Sequence, residues 1–374
     1  MKALILAGGF GTRLRPLSCT RPKHLFPIAN RPLLELTLEK LANNGIKKAI
    51  LAVNFMAREL ERALGKSKYG IKLHFSSDLP DEPQAKRTFK GALGTGGPIK
   101  LAERLLGTSD PFFVLNGDIL TNTNYSRIMK THRKTDGIAT IALRRVKDPS
   151  RYGVVELVDK KLIRRFVEKP SDNAPSNLIN AGIYILEPDI FEYILPGKTC
   201  SLEREIFPKL ALEKALFGVE IKDLWIDVGE PTDFIEANRL WLKAEKETST
   251  HSQKTRLDER VKIKDAVAID ENVVVGNESI IGPNVALGKD VSIGNAVRIK
   301  DSIIFPHTSI SDLTTIESAI IGESVTVGRQ VKIKNGCLIG DNSIIRDGVT
   351  IAPDVRICPA KDISEDILRS RCVV

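Results

Sequence analysis

The sequence predicts an α/β domain built on a mixed, mainly parallel sheet, followed by a parallel β-helix of hexapeptide repeats. Three observations carry this reading. Short, continuously apolar runs alternate with helical patterns through the first two thirds of the chain; aliphatic residues recur every six positions from Ile263 onward; and a polar stretch without aliphatic residues, Glu245 to Arg256, separates the two regimes. At 374 residues the chain exceeds what one hydrophobic core usually fills. The expected boundaries are residues 1–245 for the α/β domain, 246–260 for a linker, and 261–374 for the repeat domain with a terminal cap.

Ala3 to Ala7 is short, apolar and ended by Gly8-Gly9, as in a strand buried on both faces, so the glycines lie in the loop at its carboxyl end. Pro32 to Asn43 carries Leu34, Leu38 and Leu41 at helical spacing, with Gly45 as a stop. The alternation continues with strand Ala49–Val53, helix Ala57–Leu64, strand Ile71–Phe75, helix Pro98–Leu106 and strand Phe112–Leu115. In such a sheet, ligand loops gather at the carboxyl ends of the strands. Gly137 to Leu186 is richer in strands, with candidates at Ile138–Leu143, Val154–Leu157 and Ile163–Val167, and reads as a substrate-covering extension. Pro231 to Lys246 reads as a helix with Pro231 in its first turn and Phe234, Ala237, Leu240 and Trp241 along one side.

In the second regime the six-residue register runs through Ile263, Ile269, Val275, Ile281, Leu287, Ile293 and Ile299, with glycine after four of them. It is interrupted around Ser311 to Ser318, where a loop is expected, and returns at Ile321, Val327, Ile333, Ile339, Ile345, Ile351 and Ile357. Three units make one triangular coil with the aliphatic side chains stacked inside. A free coil end exposes unpaired backbone, so a cap is expected, with Ile363–Leu368 as a short terminal helix.

Composition narrows the function classes. Apolar residues at 42% and charged residues at 28% suit a soluble globular protein, and the net charge of +9 is compatible with anionic small substrates. The basic residues are dispersed, and no recognition-helix or zinc-finger spacing accompanies them, so no nucleic-acid partner is expected. The apolar stretch after Met1-Lys2 is too short for a membrane span or a secretory signal, which predicts no membrane partner. The cysteines at 19, 200, 337, 358 and 372 form no Cys-x-x-Cys pair and suit free thiols in a reducing, cytoplasmic compartment.

The chemistry concentrates in Leu6-Ala7-Gly8-Gly9-Phe10-Gly11-Thr12-Arg13-Leu14. Small residues let backbone N–H groups approach phosphate oxygens, and Arg13 can offset the charge of a leaving pyrophosphate. Taken alone the segment could be no more than a tight turn. It is neither the dinucleotide Gly-x-Gly-x-x-Gly fingerprint nor a phosphate loop ending in Gly-Lys-Ser/Thr, which disfavours hydride transfer and P-loop ATP hydrolysis. Ten residues later Lys23 stands between Pro22 and Pro27, either as a preorganised phosphate ligand or as a solvated loop lysine.

These segments, with Gly91 to Gly97, Asn116-Gly117-Asp118, Tyr152-Gly153-Val154, Glu168-Lys169-Pro170, Asn180-Ala181-Gly182 and Trp225-Ile226-Asp227-Val228-Gly229, resemble the sugar-nucleotide pyrophosphorylases, the sugar-1-phosphate nucleotidylyltransferases. The resemblance implies a Rossmann-like nucleotidyltransferase domain and a left-handed form for the β-helix. It also implies joining of a nucleoside triphosphate to a sugar 1-phosphate with release of pyrophosphate. Leu6, Gly8, Gly9, Gly11, Thr12, Gly94 and Thr95 would hold the nucleotide; Arg13 would face the departing phosphates; Lys23 would hold the α-phosphate and the sugar phosphate in line. Asp118 and Asp227 would ligate Mg²⁺, a pairing implied by the family and not by their spacing. Gly153, Glu168 and Asn180 would recognise the sugar, and Lys169 its phosphate. Without the resemblance, Asp118 and Asp227 could be loop carboxylates or helix caps, Glu168-Lys169-Pro170 a strand end, and Asn180-Ala181-Gly182 a turn.

The Leu93-Gly94-Thr95-Gly96-Gly97 run is most similar to the Leu-Gly-Thr-Ala-Gly element of the GDP-mannose branch, although Gly96 lacks the alanine methyl, so GTP and mannose 1-phosphate are the expected substrates. Glucose 1-phosphate with UTP or dTTP is the alternative, Gln84 lying too early to serve as a base-reading residue. A non-catalytic subunit that binds the sugar nucleotide is a third reading. The attacking phosphate oxygen is already ionised, so none of the histidines is needed as a base. His24 and His74 read as packing or loop residues, His132 as a helix end, His251 as linker. His307 is the one that suggests an acyltransferase base, without further motifs of that class. The β-helix is expected to mediate homo-oligomerisation.

Overall fold

The computed structural model describes residues 1–54, 56–77, 93–159, 161–171, 173–244 and 255–374. Gln84, Gly91, Ala92 and His251 lie outside them, as does most of the expected linker. The chain packs as two compact units, one of Met1–Gly9 with Leu34–Trp225, the other of Phe10–Leu33 with Ile226–Val374.

The first unit is organised by one mixed sheet whose strands run in the order Ile163–Glu168, Gly153–Leu157, Leu178–Leu186, Phe112–Asn116, Lys2–Leu6, Lys48–Val53, Ile71–Ser77, Ser67–Lys68. Lys2–Leu6 is central and parallel to both neighbours. It is therefore covered on both faces, which is why Ala3, Leu4 and Ile5 are fully buried. Leu178–Leu186 runs antiparallel to Phe112–Asn116, and it also pairs with Ala139–Arg145, which carries Leu216–Glu220 on its far side. The expected helices form at Leu33–Asn43 and Ala57–Leu64. The one expected over Pro98–Leu106 is instead two short helices, Gly97–Leu101 and Glu103–Leu106. They divide at Ala102, whose ψ of −1° leaves the helical range.

In the second unit the six-residue period becomes a β-helix of three parallel sheets, with seven, six and seven strands among the described residues. The first strand is Arg256–Leu257. Each repeat's aliphatic residue points inward; Ile281, Leu287, Val327 and Ile339 are fully buried. Burying one such side chain contributes about 1.5–3 kcal/mol relative to leaving it in water. Glycine follows many of them because neighbouring coils approach closely: a Cβ on Gly322 would lie 2.5 Å from Asp341 Oδ1.

Two expectations are corrected here. No loop interrupts the coil around Ser311 to Ser318. The stacking continues through Ile304, Ile310 and Ile316, each 1% exposed. Two steps are five residues long, not six, so partners that lie 18 residues apart at Val275 and Ile293 lie 17 apart at Ile299 and Ile316. The shortened corners are turned at Asp301 and Ser318, whose φ values are 48° and 47°. Nor is the terminus a helix. Asp362–Ile363 forms a further strand on Ile344–Ile345, and Ile367 bridges Ile351. Ile363 and Ile367 are 8% and 2% exposed, so extending the stack removes both aliphatic side chains from water.

The same unit holds Phe10–Leu33 against the coil. Phe26 packs on Phe234 and Phe305 at centroid distances of 5.2 and 6.0 Å. Helix Pro231–Ala244 contributes Asn238, whose Oδ1 accepts from Ala29 N at 2.8 Å, and Asn30 donates to the Leu287 carbonyl at 2.9 Å.

Candidate active site

The predicted residues divide into two sets, one in each unit. In the first unit, parallel pairing puts Leu6 opposite Asn116, and Gly117 N donates to the Leu6 carbonyl at 2.9 Å. The Gly8-Gly9 loop and half-buried Asp118 thus emerge from adjacent strands at the carboxyl edge, where a parallel sheet presents ligand loops. Asn54 lies beside Gly8: a Cβ there would fall 2.8 Å from its Nδ2.

Gly94 and Thr95 form a turn against Cys200. Gly94 has φ of 75°, and a Cβ on it would lie 2.2 Å from the Cys200 carbonyl oxygen, so both backbone conformation and space demand glycine. Thr95 Oγ1 accepts from Leu202 N at 2.9 Å and donates to Glu203 Oε2 at 2.6 Å. Glu203 also accepts from Ser201 Oγ at 3.0 Å and from Tyr184 Oη at 3.4 Å. Tyr184 Oη in turn accepts from Asn180 Nδ2 at 2.9 Å, while Asn180 Oδ1 accepts from Gly182 N at 2.9 Å. Nucleotide and sugar candidates are therefore joined through one carboxylate that the sequence reading did not name. Its signal was weak: Glu203 sits on a single π-helical turn, Leu202–Ile206, a local geometry frequent at functional sites and without a motif.

Glu168 stands opposite Gly153 in the antiparallel pair, and a Cβ on Gly153 would fall 2.9 Å from Glu168 Oε2. Burial, and next the charge of Glu203, push the Glu168 carboxyl above the usual range. Tyr184 is held neutral, a hydroxyl able to donate, by full burial first and Glu203 second. Lys169 is exposed, has φ of 47°, and places its Nζ 3.8 Å from Glu168 Oε1. Trp225 Nε1 donates to the Ala181 carbonyl at 2.8 Å and its ring meets Tyr152 edge-on at 5.8 Å. Polar groups converging beside aromatic faces are what a sugar-binding surface needs.

The second unit carries Gly11, Thr12, Arg13, Lys23 and Asp227. Gly11 has φ of 60°, its carbonyl accepts from Ser18 Oγ at 2.7 Å, and a Cβ on it would lie 3.6 Å from Lys23 Cβ. The glycine turn and the lysine are thus side by side. Thr12–Leu14 and Lys23–Leu25 are single 3-10 turns. Arg13 is exposed and pairs with Glu230 Oε1 at 3.2 Å, and its guanidinium is also near Gly229, where a Cβ would fall 3.1 Å from Nη2 and 3.5 Å from Asp227 Oδ1. Gly229 therefore leaves a cradle beside Arg13 and Asp227. An exposed pair of this kind contributes little to stability, so Arg13 can turn to a phosphate at small cost.

His132 is buried between Thr140 Oγ1 and Glu187 Oε1 at 2.8 and 3.0 Å, and His307 occupies a β-helix corner with φ of 60°, 3.3 Å from Asp290 Oδ2.

Residues 2–244 match the family model described as nucleotidyl transferase, and residues 263–373 match the one described as the GMPPB C-terminal domain. A mannose-1-phosphate guanyltransferase of Yarrowia lipolytica is 41% identical over 248 residues, covering 65% of this chain and 65% of that protein. Its counterpart in Saccharomyces cerevisiae is 41% identical over 249 residues with the same shares. The chain thus spans just under two thirds of the length of these curated relatives. A solved structure of UDP-glucose pyrophosphorylase complexed with UDP-glucose is 26% identical, with a TM-score of 0.55 over 65% of this chain and 98% of that one.

Proposed function

We propose that this chain, which belongs to the nucleotidyl transferase family, transfers a guanylyl group from GTP to mannose 1-phosphate, giving GDP-mannose and pyrophosphate. The 41% identity to mannose-1-phosphate guanyltransferases carries the choice of base and sugar. The Gly94-Thr95 turn agrees with it. The UDP-glucose enzyme is more distant at 26%, which places uridylyl or thymidylyl transfer to glucose 1-phosphate second. The sequence carries Arg13, Lys23, Asp118 and Asp227, which argues against a subunit that only binds the sugar nucleotide.

In this reading a phosphate oxygen of the sugar 1-phosphate attacks the α-phosphorus of GTP as pyrophosphate departs on the opposite side. Gly8, Gly9, Gly11 and Thr12 bring backbone N–H groups to the phosphates. Lys23 neutralises the α-phosphate and the incoming phosphate, while Arg13 meets the leaving pyrophosphate. Asn180 and Glu168 fix the sugar hydroxyls, and the Glu203 network holds Asn180 and Thr95 in their rotamers. Asp118 and Asp227 are the carboxylates that would hold Mg²⁺: their hard oxygen donors suit it, and Gly229 adds no side chain beside Asp227 Oδ1. When bound, the ion supplies charge neutralisation at the phosphates.

The β-helix is the natural surface for homo-oligomerisation, having broad flat faces. The described cysteines are all free, in keeping with a reducing, cytoplasmic setting. Among the described residues no helix is long and apolar enough to cross a membrane.

The test is pyrophosphate release by the purified protein with each of four nucleoside triphosphates against several sugar 1-phosphates, both products being identified. GTP with mannose 1-phosphate should give the highest kcat/KM. A higher value for UTP or dTTP with glucose 1-phosphate would reassign the substrates, and no pyrophosphate in any combination would reject catalysis.

A further inference from the structure

We propose that Asp341, on a corner of the β-helix, is a positioning residue for Lys23 and acts through Arg21. This rests on the reading of Lys23 as a phosphate ligand.

Corner carboxylates recur along the coil with one shared task. Asp312 Oδ1 accepts from Asn295 N at 2.7 Å, Asp341 Oδ1 from Glu323 N at 2.7 Å, and Asp347 Oδ1 from Arg329 N at 2.8 Å. That bond ties one coil to the next. Asp341 differs in what its second oxygen does. Oδ2 accepts from Thr20 Oγ1 at 2.7 Å and from Arg21 Nη2 at 2.8 Å, and the Asp341 side chain is 5% exposed where Asp347 is exposed.

Arg21 is gripped from two more sides. Its guanidinium pairs with Glu323, and it lies over the Phe305 ring, 4.9 Å from the centroid. Burial opposes its charge, but Asp341 and Glu323 outweigh that and hold it firmly protonated. A planar guanidinium held by two carboxylates and a ring has little freedom.

Pro22 carries this constraint to Lys23. It fixes its own φ near −66° and keeps Arg21 out of the helical region. Lys23 then opens a 3-10 turn closed by Phe26 N donating to the Lys23 carbonyl at 3.0 Å. Phe26 packs on Phe305, the ring that also carries Arg21. Lys23 is therefore clamped on both sides in sequence by groups of the β-helix. A lysine spends rotamer and backbone freedom to meet a phosphate, and this clamp removes part of that cost before substrate arrives.

The experiment measures kcat, KM for the nucleotide and melting temperature in the full chain for Asp341→Asn, Asp347→Asn, Arg21→Lys and Lys23→Ala, and for Asp341→Asn combined with Lys23→Ala. Asp347→Asn loses the carboxylate charge while its Oδ1 can still accept from Arg329 N, as Asp341→Asn can from Glu323 N, and it serves as the structural control. Expected results are a kcat about tenfold lower for Asp341→Asn and Arg21→Lys with KM within about twofold, and a near-normal kcat for Asp347→Asn at a similar melting temperature. In the Lys23→Ala background, Asp341→Asn should change kcat by less than about twofold, because the group it positions is gone. Equal kcat for Asp341→Asn and Asp347→Asn, or the same factor with and without Lys23, overturns the proposal. Should Asp341→Asn not fold, a normal kcat for Arg21→Lys overturns it alone. Normal turnover by Lys23→Ala instead rejects the reading of Lys23, a separate outcome.

Discussion

Thr95 and Glu203, separated by 108 residues of sequence, share a 2.6 Å hydrogen bond between hydroxyl and carboxylate. Through Glu203 the turn expected to face the nucleotide is tied to Tyr184 and Asn180 on the sugar side. Glu203→Gln keeps the shape but removes the charge and turns one acceptor into a donor facing other donors. Hydrogen bonds to charged groups contribute roughly 1.5–3 kcal/mol, so kcat/KM for the sugar 1-phosphate should fall at least about tenfold. An unchanged value, with intact folding by circular dichroism, would remove Glu203 from the site.

Arg13→Ala should retain folding, since its exposed pair with Glu230 is a weak stabiliser. Transfer should slow by roughly a hundredfold, the order of about 3 kcal/mol lost with one preorganised charge donor in the transition state. Glu230→Gln is the companion variant and should leave the rate within a few-fold. Comparable losses in the two variants would assign the effect to the ion pair, not to phosphate recognition.

Asp118→Asn and Asp227→Asn each keep the side-chain shape and lose an anionic oxygen. Both should raise the Mg²⁺ concentration needed for half-maximal rate and lower the plateau. Mg²⁺ titrations of both variants that overlay the wild-type curve would show that neither carboxylate serves the ion.

His132 links stability to pH. Burial, only partly offset by Glu187, lowers its pKa from 6.5, so the unfolded chain takes up the proton first as pH falls. Stability contributed by the neutral ring is present above about pH 6.5 and is lost as pH drops below it, by up to roughly 1.4 kcal/mol per pH unit. Urea unfolding at pH 7.5 and 5.5 should show a smaller difference for His132→Gln than for wild type. Identical differences would mean that another group governs the slope.

Local sequence determined much of this protein. The continuously apolar run at Ala3–Ile5 requires a doubly covered strand, and the six-residue recurrence from Ile263 requires a coil, because each pattern records which side chains a regular backbone turns inward. Motif resemblance supplied the candidate residues. The tertiary structure decided what no spacing encodes. Two five-residue steps keep Ile304, Ile310 and Ile316 inside the coil, since stacking tolerates one fewer corner residue as long as the aliphatic side chain still reaches the core. Ile363 and Ile367 extend the stack because the preceding coil offers them unpaired backbone and an apolar end to cover. Glu203 meets Thr95, and Asp341 meets Arg21, only because contacts over 108 and 320 residues are set by sheet order and coil register, and a carboxylate's partners are fixed by where the folded chain brings opposing donors, not by its neighbours in sequence.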